Sequence, residues 1–440
     1  MRANSASAGR TLPVTPAQSA ERELRLQTVL IAYVLAGLFF MLLPGTFLGV
    51  WNLVSISSRR ALESLSPSWL QAHGQAQIFG WIGTFIIGIG FYSLSKMGRL
   101  APFAVSRAWI CFVLWTAGAS LRWLAGVVEW HWRFLLPLSA LLQLSGFLIF
   151  FFTVSGHRAN SAEPSRHRPE PWMLLVIAST FGLLFSLLLN CGADLWAAGQ
   201  GVTPALPHSF DQRLVALEAW GFLVPAIWGF NARWLPVFVG LRAASGKFLL
   251  TALALVWTSI LADLGGLLIA SALVLPVAAI TAIQALHVWQ PAIHPAKTNG
   301  IHPSFRFFIR TAYVWLLVAS SLWALAAWVD HSGGIWGAAR HALTVGFITT
   351  MVFAIGQRVL PAFGGGRVLY SPRLMFFSLV TLNIGCALRV GSEIPAYEGY
   401  SVIAWRLLPC SAVIELLAVA LFAANLLATF VRPPAHLAAS

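Results

Sequence analysis

Apolar segments long enough to cross a bilayer recur along this chain, and they constrain its fold more than any other feature. About 20 apolar residues in a helix span the hydrocarbon core. Counted against that length, the 440 residues contain twelve such segments. We place them at about 27–50, 73–95, 104–126, 132–154, 172–193, 212–236, 247–269, 271–290, 308–329, 341–361, 372–390 and 404–430. The sequence therefore predicts an all-α, polytopic membrane protein with a single twelve-helix transmembrane domain over residues 27–432.

The composition excludes a soluble protein of this size. Hydrophobic residues make up 58% of the chain and charged residues 10%, and the mean hydropathy is +0.77. A water-facing surface needs many more polar side chains. The formal charge of +14 would suit nucleic acid in a soluble protein. In a membrane protein it indicates basic cytoplasmic loops, so we predict the lipid bilayer as a partner and no nucleic acid.

The positions of Lys and Arg predict the orientation. With the N-terminus inside, 20 of the 28 basic residues fall in inner segments, as the positive-inside rule requires. We therefore expect a multi-pass membrane protein with both termini in the cytoplasm. Residues 1–26 and 433–440 are predicted to be cytoplasmic tails, and the first is predicted to be disordered because it is rich in Ser, Ala and Arg.

Three segments resemble one another and indicate an internal repeat. Residues 73–99 align without a gap on residues 341–367, and both begin with His and end with Gly-Arg. Residues 233–242 and 358–367 share the pattern R-x-L-P-x-F-x-G-x-R. These segments are the second, sixth and tenth predicted helices. The sequence therefore predicts three pseudo-repeated four-helix units.

Histidines cluster at one predicted face of the membrane. The five at outer helix ends are His73, His131, His208, His331 and His341. Each one taken alone could simply favour the interface. His73 and His341, however, stand at equivalent positions of the repeat, where the middle copy has Ala216. Because haem iron takes axial imidazole nitrogens, we predict that this pair ligates one haem and that the other three are candidates for a second metal.

Charged residues in and near the predicted helices have two open interpretations. Four of the outer arginines are Arg122, Arg340, Arg389 and Arg406. They are candidates to bind haem propionates, and interfacial snorkelling is the alternative. Glu218 and Glu415 fall within apolar runs, where a carboxylate serves a proton or ion pathway or is paired structurally.

Two stretches resemble the NnrS family of bacterial membrane proteins. They are QAHGQAQIFGW around His73, and RHALTVGFITTM from Arg340 followed by RVLPAFGGGR. The early stretch departs from the family pattern at Gln71, where the family's first histidine would stand, and it lacks the acidic residue. The resemblance implies twelve helices, haem and copper as cofactors, and a role in nitric oxide metabolism and nitrosative stress.

A more distant similarity is to subunit one of haem-copper oxidases and nitric oxide reductases. That resemblance implies three four-helix arcs, with a low-spin haem held by histidines of helices two and ten, where His73 and His341 fall. Ala216 stands in the sixth helix without an H-P-E-V-Y-like motif, and the seventh has no His-His pair. We therefore expect no oxygen reduction or proton pumping of the oxidase type.

These observations lead to one hypothesis and two alternatives. The hypothesis is an inner-membrane haem protein of NnrS type, with copper as a further candidate cofactor and nitric oxide or another diatomic molecule as its ligand; whether it is an enzyme stays open. The main alternative is a cofactor-free secondary transporter with Glu218 and Glu415 in a midplane acidic site. The other is a membrane assembly protein or chaperone without chemistry of its own.

Overall fold

A computed structural model describes residues 16–61, 64–97, 103–159, 170–298 and 300–433. Within these residues the chain is helical and contains no strand. Twelve of its helices are long and apolar enough to cross a membrane. The prediction of an all-α protein with twelve transmembrane helices is confirmed, and the chain is a multi-pass membrane protein.

The twelve helices are longer than the minimum span in most cases. They are α1 Ala20–Arg59, α2 Pro67–Ser93, α3 Val105–Val127, α4 Trp132–Gly156, α5 Pro171–Gln200, α6 His208–Phe238, α7 Gly246–Leu264, α8 Leu268–Leu286, α9 Phe305–Val329, α10 Gly334–Phe363, α11 Pro372–Tyr397 and α12 Val402–Val431. The break between α7 and α8 lies at Gly265 and Gly266, and the second of these has a φ of 82°. A glycine adopts that left-handed backbone without strain, which explains why the helix pair divides there.

The first helical segment begins earlier than the sequence predicted. Helical structure starts at Pro16, so residues 16–26, predicted to belong to a disordered tail, are helical. The carboxylate of Glu21 lies 2.6 Å from the guanidinium of Arg25 one turn later, a pairing that supports an exposed helix. Residues 1–15 and 434–440, which make up the rest of the predicted tails, lie outside the described residues.

The three repeat-related helices form the centre of the bundle. In α2, α6 and α10, 83%, 83% and 78% of the most apolar window is buried inside the protein. In the other nine spans the corresponding share is 33–50%, because those helices present a face to lipid. The repeat found in the sequence is therefore a repeat of central helices.

A second structural feature is common to these central helices. Each contains a π-helical segment just after its aligned repeat position: Ala76–Gly83 in α2, Leu217–Leu223 in α6 and Ala342–Thr349 in α10. A fourth such segment, Met41–Phe47 in α1, contains Pro44, which cannot donate a backbone hydrogen bond. Widened turns of this kind occur frequently at functional sites.

Aromatic contacts place α2 beside α10. The rings of Trp81 and Phe353 have centroids 6.2 Å apart, and those of Tyr92 and Phe363 are 5.0 Å apart. Phe353 also stacks on Phe422 of α12, with centroids 3.7 Å apart and an interplanar angle of 4°. The two histidine-bearing helices therefore contact each other through aromatic side chains at two levels.

Candidate functional site

The imidazole of His73 is held against α1. Its Nδ1 atom lies 2.9 Å from the carbonyl oxygen of Gly45. The ring covers Gly49 so closely that a Cβ atom there would lie 2.7 Å from the histidine Cε1 atom. Gly45 thus provides the hydrogen-bond acceptor, and the missing side chain of Gly49 leaves space for this half-buried ring.

The imidazole of His341 is held from its own helix and from α11. Its Nδ1 atom lies 2.9 Å from the carbonyl oxygen of Gly337, one turn earlier in α10. The Oε2 atom of Glu393 is 3.4 Å from the same nitrogen. The side chain keeps 27% of its surface exposed, so the ring is accessible at one edge.

Both imidazoles have the same tautomer. A carbonyl oxygen can only accept, so Nδ1 of His73 and Nδ1 of His341 each donate. In a neutral imidazole the other nitrogen, Nε2, then carries the lone pair. Metal-binding histidines typically donate their second nitrogen to a carbonyl or carboxylate in this way. The two rings also lie close enough to interact electrostatically with each other.

A buried group of charges surrounds this pair. The Nη2 atom of Arg389 donates to Oε1 of Glu393 at 3.0 Å, and both side chains are almost fully buried. The Nε and Nη1 atoms of Arg389 are buried without a hydrogen-bond partner, as is Oε1 of Glu415. His73 and Glu415 both interact electrostatically with this arginine, and Glu415 also interacts with His341. The cluster therefore has unused donors and acceptors beside the two rings.

The four arginines predicted as propionate partners have different environments. Arg389 and Arg340 lie near the histidine pair, since both interact electrostatically with Glu393. Arg122 forms an ion pair with Asp194, and it interacts electrostatically with Asp211 of α6, as Arg340 also does. Arg406 is exposed. The structure thus brings two of the four arginines to the histidines.

A second buried polar cluster joins α2, α3, α5 and α6. The Nδ2 atom of Asn190 donates to Oε1 of Glu218 at 2.9 Å, and Nε2 of Gln75 donates to Oδ1 of Asn190 at 3.2 Å. The ion pair of Arg122 with Asp194 lies one turn further along α5. Glu218 is therefore held in a network, although its Oε2 atom is buried without a partner.

The remaining predicted metal ligands stay apart. His131, His208 and His331 are exposed, each at the same end of the bundle as His73 and His341. No group of three or more His, Cys, Asp or Glu side chains that could hold a metal ion occurs among the described residues. The second metal therefore remains a prediction for which the described part of the chain gathers no ligand set.

Bulky side chains fill the space around the repeat position of α6. The cavity beside Ala216 has a volume of about 10 Å³ and is bordered by Trp220, Trp323 and Asp263. The two indoles meet edge to face with centroids 6.2 Å apart. Such a cavity holds about one water molecule and no larger group.

Sequence reasoning missed two acidic residues of these clusters. Glu393 and Asp194 lie just beyond the predicted ends of their helices, at about 390 and 193. The spacing of Arg389 and Glu393, four residues apart, is the signal that could have revealed the first, because such pairs meet on a helix face. Asp194 pairs with a residue 72 positions away, and no local pattern indicates that.

Comparisons with known proteins agree with this architecture. A family model described as a domain of unknown function, DUF8744, matches residues 269–431, which cover most of α8 to α12. No curated protein matches the chain. Among the solved structures that match is a haem-copper terminal oxidase dimer determined by cryo-EM, with a TM-score of 0.58 and 12% identity over 93% of this chain and 84% of that one. The chain therefore shares its fold with a haem-copper terminal oxidase.

Proposed function

We propose that this chain is a haem protein of the bacterial inner membrane, with His73 and His341 as the two axial ligands of one haem. The observation that carries the proposal is the matched pair of imidazoles on neighbouring central helices. Each donates through Nδ1 to a glycine carbonyl and so keeps Nε2 free for iron. Similarity to a haem-copper terminal oxidase supports it, because the fold is the same.

The surrounding residues suit the proposed group. Haem carries two propionates, and Arg389 has buried Nε and Nη1 atoms without a partner. Arg340, half-buried at the same end, is the second candidate for this role. The missing side chain of Gly49 leaves room on the α1 side for the first imidazole. When bound, the haem would supply one-electron chemistry, and a diatomic molecule would bind its iron only in place of one of the two imidazoles.

Nitric oxide handling is the proposed physiological role. The likeness of the two histidine stretches to the NnrS family supports it. We propose that the protein binds, senses or turns over nitric oxide at the histidine end of the bundle. Copper remains a further candidate cofactor, although the described residues gather no set of three ligands for it.

A visible spectrum of the purified protein tests the proposal. We expect a six-coordinate, low-spin haem spectrum that His73→Ala and His341→Ala each abolish or convert. His294→Ala is the matched control, because its exposed side chain lies on the loop after α8, at the opposite end of the bundle. Haem-free protein, or an unchanged spectrum in both variants, would refute this assignment.

The buried acidic network favours one other candidate, a cofactor-free secondary transporter. Glu218 lies in a π-helical segment at the centre of the bundle, and its Oε2 atom has no partner. Carboxylates inside a membrane often bind the coupling ion or proton. Uptake of a substrate by haem-free protein in vesicles, lost in Glu218→Gln, would establish this alternative.

A further inference from the structure

We infer that Glu393 is a positioning residue for His341, and that its carboxylate makes this imidazole the stronger electron donor of the two proposed ligands. The inference rests on the proposed function, since it concerns how the protein tunes that haem. It assigns a role to a residue of α11 that no sequence motif indicates.

The geometry of the carboxylate leaves one oxygen for the histidine. Oε1 of Glu393 accepts from Arg389 at 3.0 Å, whereas Oε2 is buried and lies 3.4 Å from Nδ1 of His341. That second oxygen has no other hydrogen-bond partner. Nδ1 of His341 therefore has two oxygens beside it, the Gly337 carbonyl that accepts its hydrogen bond and this carboxylate oxygen.

A glycine makes this approach feasible. A Cβ atom at Gly337 would lie 2.2 Å from Oε1 and 2.7 Å from Cδ of Glu393, well inside contact distance. The same residue supplies the carbonyl that accepts from His341. Gly337 thus determines both contacts of Nδ1. Its carbonyl oxygen accepts the hydrogen bond, and its missing side chain leaves space for the carboxylate of Glu393.

The other imidazole lacks such a carboxylate. His73 donates to the Gly45 carbonyl, and among the described residues it has no carboxylate within ion-pair distance. A carboxylate beside Nδ1 raises the basicity of a metal-bound imidazole and stabilises positive charge on the metal. Its effect is strong in a buried site of low dielectric, and Arg389 offsets only part of it. The two proposed ligands are therefore chemically unequal.

Redox titration of the purified, full-length protein tests the inference. Glu393→Gln keeps the shape of the side chain and removes its charge, so the ferric form loses stabilisation and the midpoint potential rises. We expect at least a tenfold shift in the one-electron equilibrium, equivalent to about 59 mV. Glu218→Gln is the matched control, because that buried carboxylate bonds to Asn190 on α5 instead.

A second variant keeps every charge in place. Gly337→Ala displaces the carboxylate of Glu393 from the ring, and we expect a smaller rise in potential. Gly391→Ala on α11 is its control, because a Cβ atom there meets nothing within 4 Å. Haem bands with a wild-type potential in both test variants would overturn this inference alone. Absence of haem from the wild-type protein would overturn the proposed function, and the inference with it.

Discussion

The guanidinium of Arg122 and the carboxylate of Asp194 form an ion pair inside the bundle, where α3 meets α5. Both side chains are almost fully buried. The positive charge of this arginine is therefore already compensated by the protein. Arg389 and Arg340 are the better-placed candidates for a propionate role because both interact electrostatically with Glu393, which lies beside His341.

Breaking this pair on one side should destabilise the protein strongly. Arg122→Gln or Asp194→Asn leaves a buried charge without its partner, at a cost of about 3–5 kcal/mol. The double variant has no unpaired charge and should be closer to the wild type than either single variant. Thermal unfolding in detergent measures this, with Arg406→Gln as an exposed control. Additive losses in the double variant would contradict the prediction.

Close backbone packing between α5 and α6 provides a second prediction. A Cβ atom at Gly182 would lie 2.2 Å from the carbonyl oxygen of Gly221, in the π-helical segment of α6. Gly182→Ala should therefore push two central backbones apart and cost about 1–3 kcal/mol or more. Gly192→Ala, on the same helix with nothing within 4 Å, should be neutral or slightly stabilising. Equal unfolding temperatures for the two variants would count against this packing.

Much of the fold could be predicted from the sequence because its strongest signals are long and local. Apolar length sets the number of spans, and the repeat identified α2, α6 and α10 as related before their central position was known. The π-helical segments could not be predicted, since they depend on packing at the centre rather than on a residue pattern. Neither could the filling of the space beside Ala216 by Trp220 and Trp323.

The charges of the site were harder to predict, for an energetic reason. A charged residue lowers the mean hydropathy of a segment, so the predicted helix ends before it. For this reason the predicted helices stop just before Asp194 and Glu393. That cost disappears once the residue has a buried partner, and partners such as Arg122 are distant in sequence. The histidines could be singled out because two copies of the repeat carry them, but their second partners required the structure.

Labelling of introduced cysteines tests the predicted orientation. In a Cys410→Ser background, which removes the exposed native thiol, cysteines at His131 and His208 should react with a membrane-impermeant maleimide in intact spheroplasts. A cysteine at His294 should react only after permeabilisation. All three positions have exposed side chains, so access depends on the side of the membrane alone. Labelling of His294 from outside would invert the topology.

The last prediction concerns the space that α1 leaves for His73. A methyl group at Gly49 would lie 2.7 Å from Cε1 and 3.0 Å from Nδ1 of the imidazole, so the ring must turn or shift. Gly49→Ala removes no hydrogen-bonding group and no charge, yet it should displace Nδ1 from the Gly45 carbonyl and Nε2 from the iron. Overpacking of this kind costs about 1–3 kcal/mol, and here we expect it to be relieved by a displacement of the His73 imidazole.

The expected result is a loss of low-spin character in the visible spectrum, with haem still bound through His341. Gly74→Ala is the matched control, because it adds the same methyl group next to His73 in the chain but into open space. The prediction is wrong if both glycine variants keep the wild-type spectrum while His73→Ala does not. In that case the ring tolerates the methyl group, and its contact with Gly49 does not set its orientation. If only Gly49→Ala alters the spectrum, the glycines of α1 hold the imidazole in the position that the proposed haem requires.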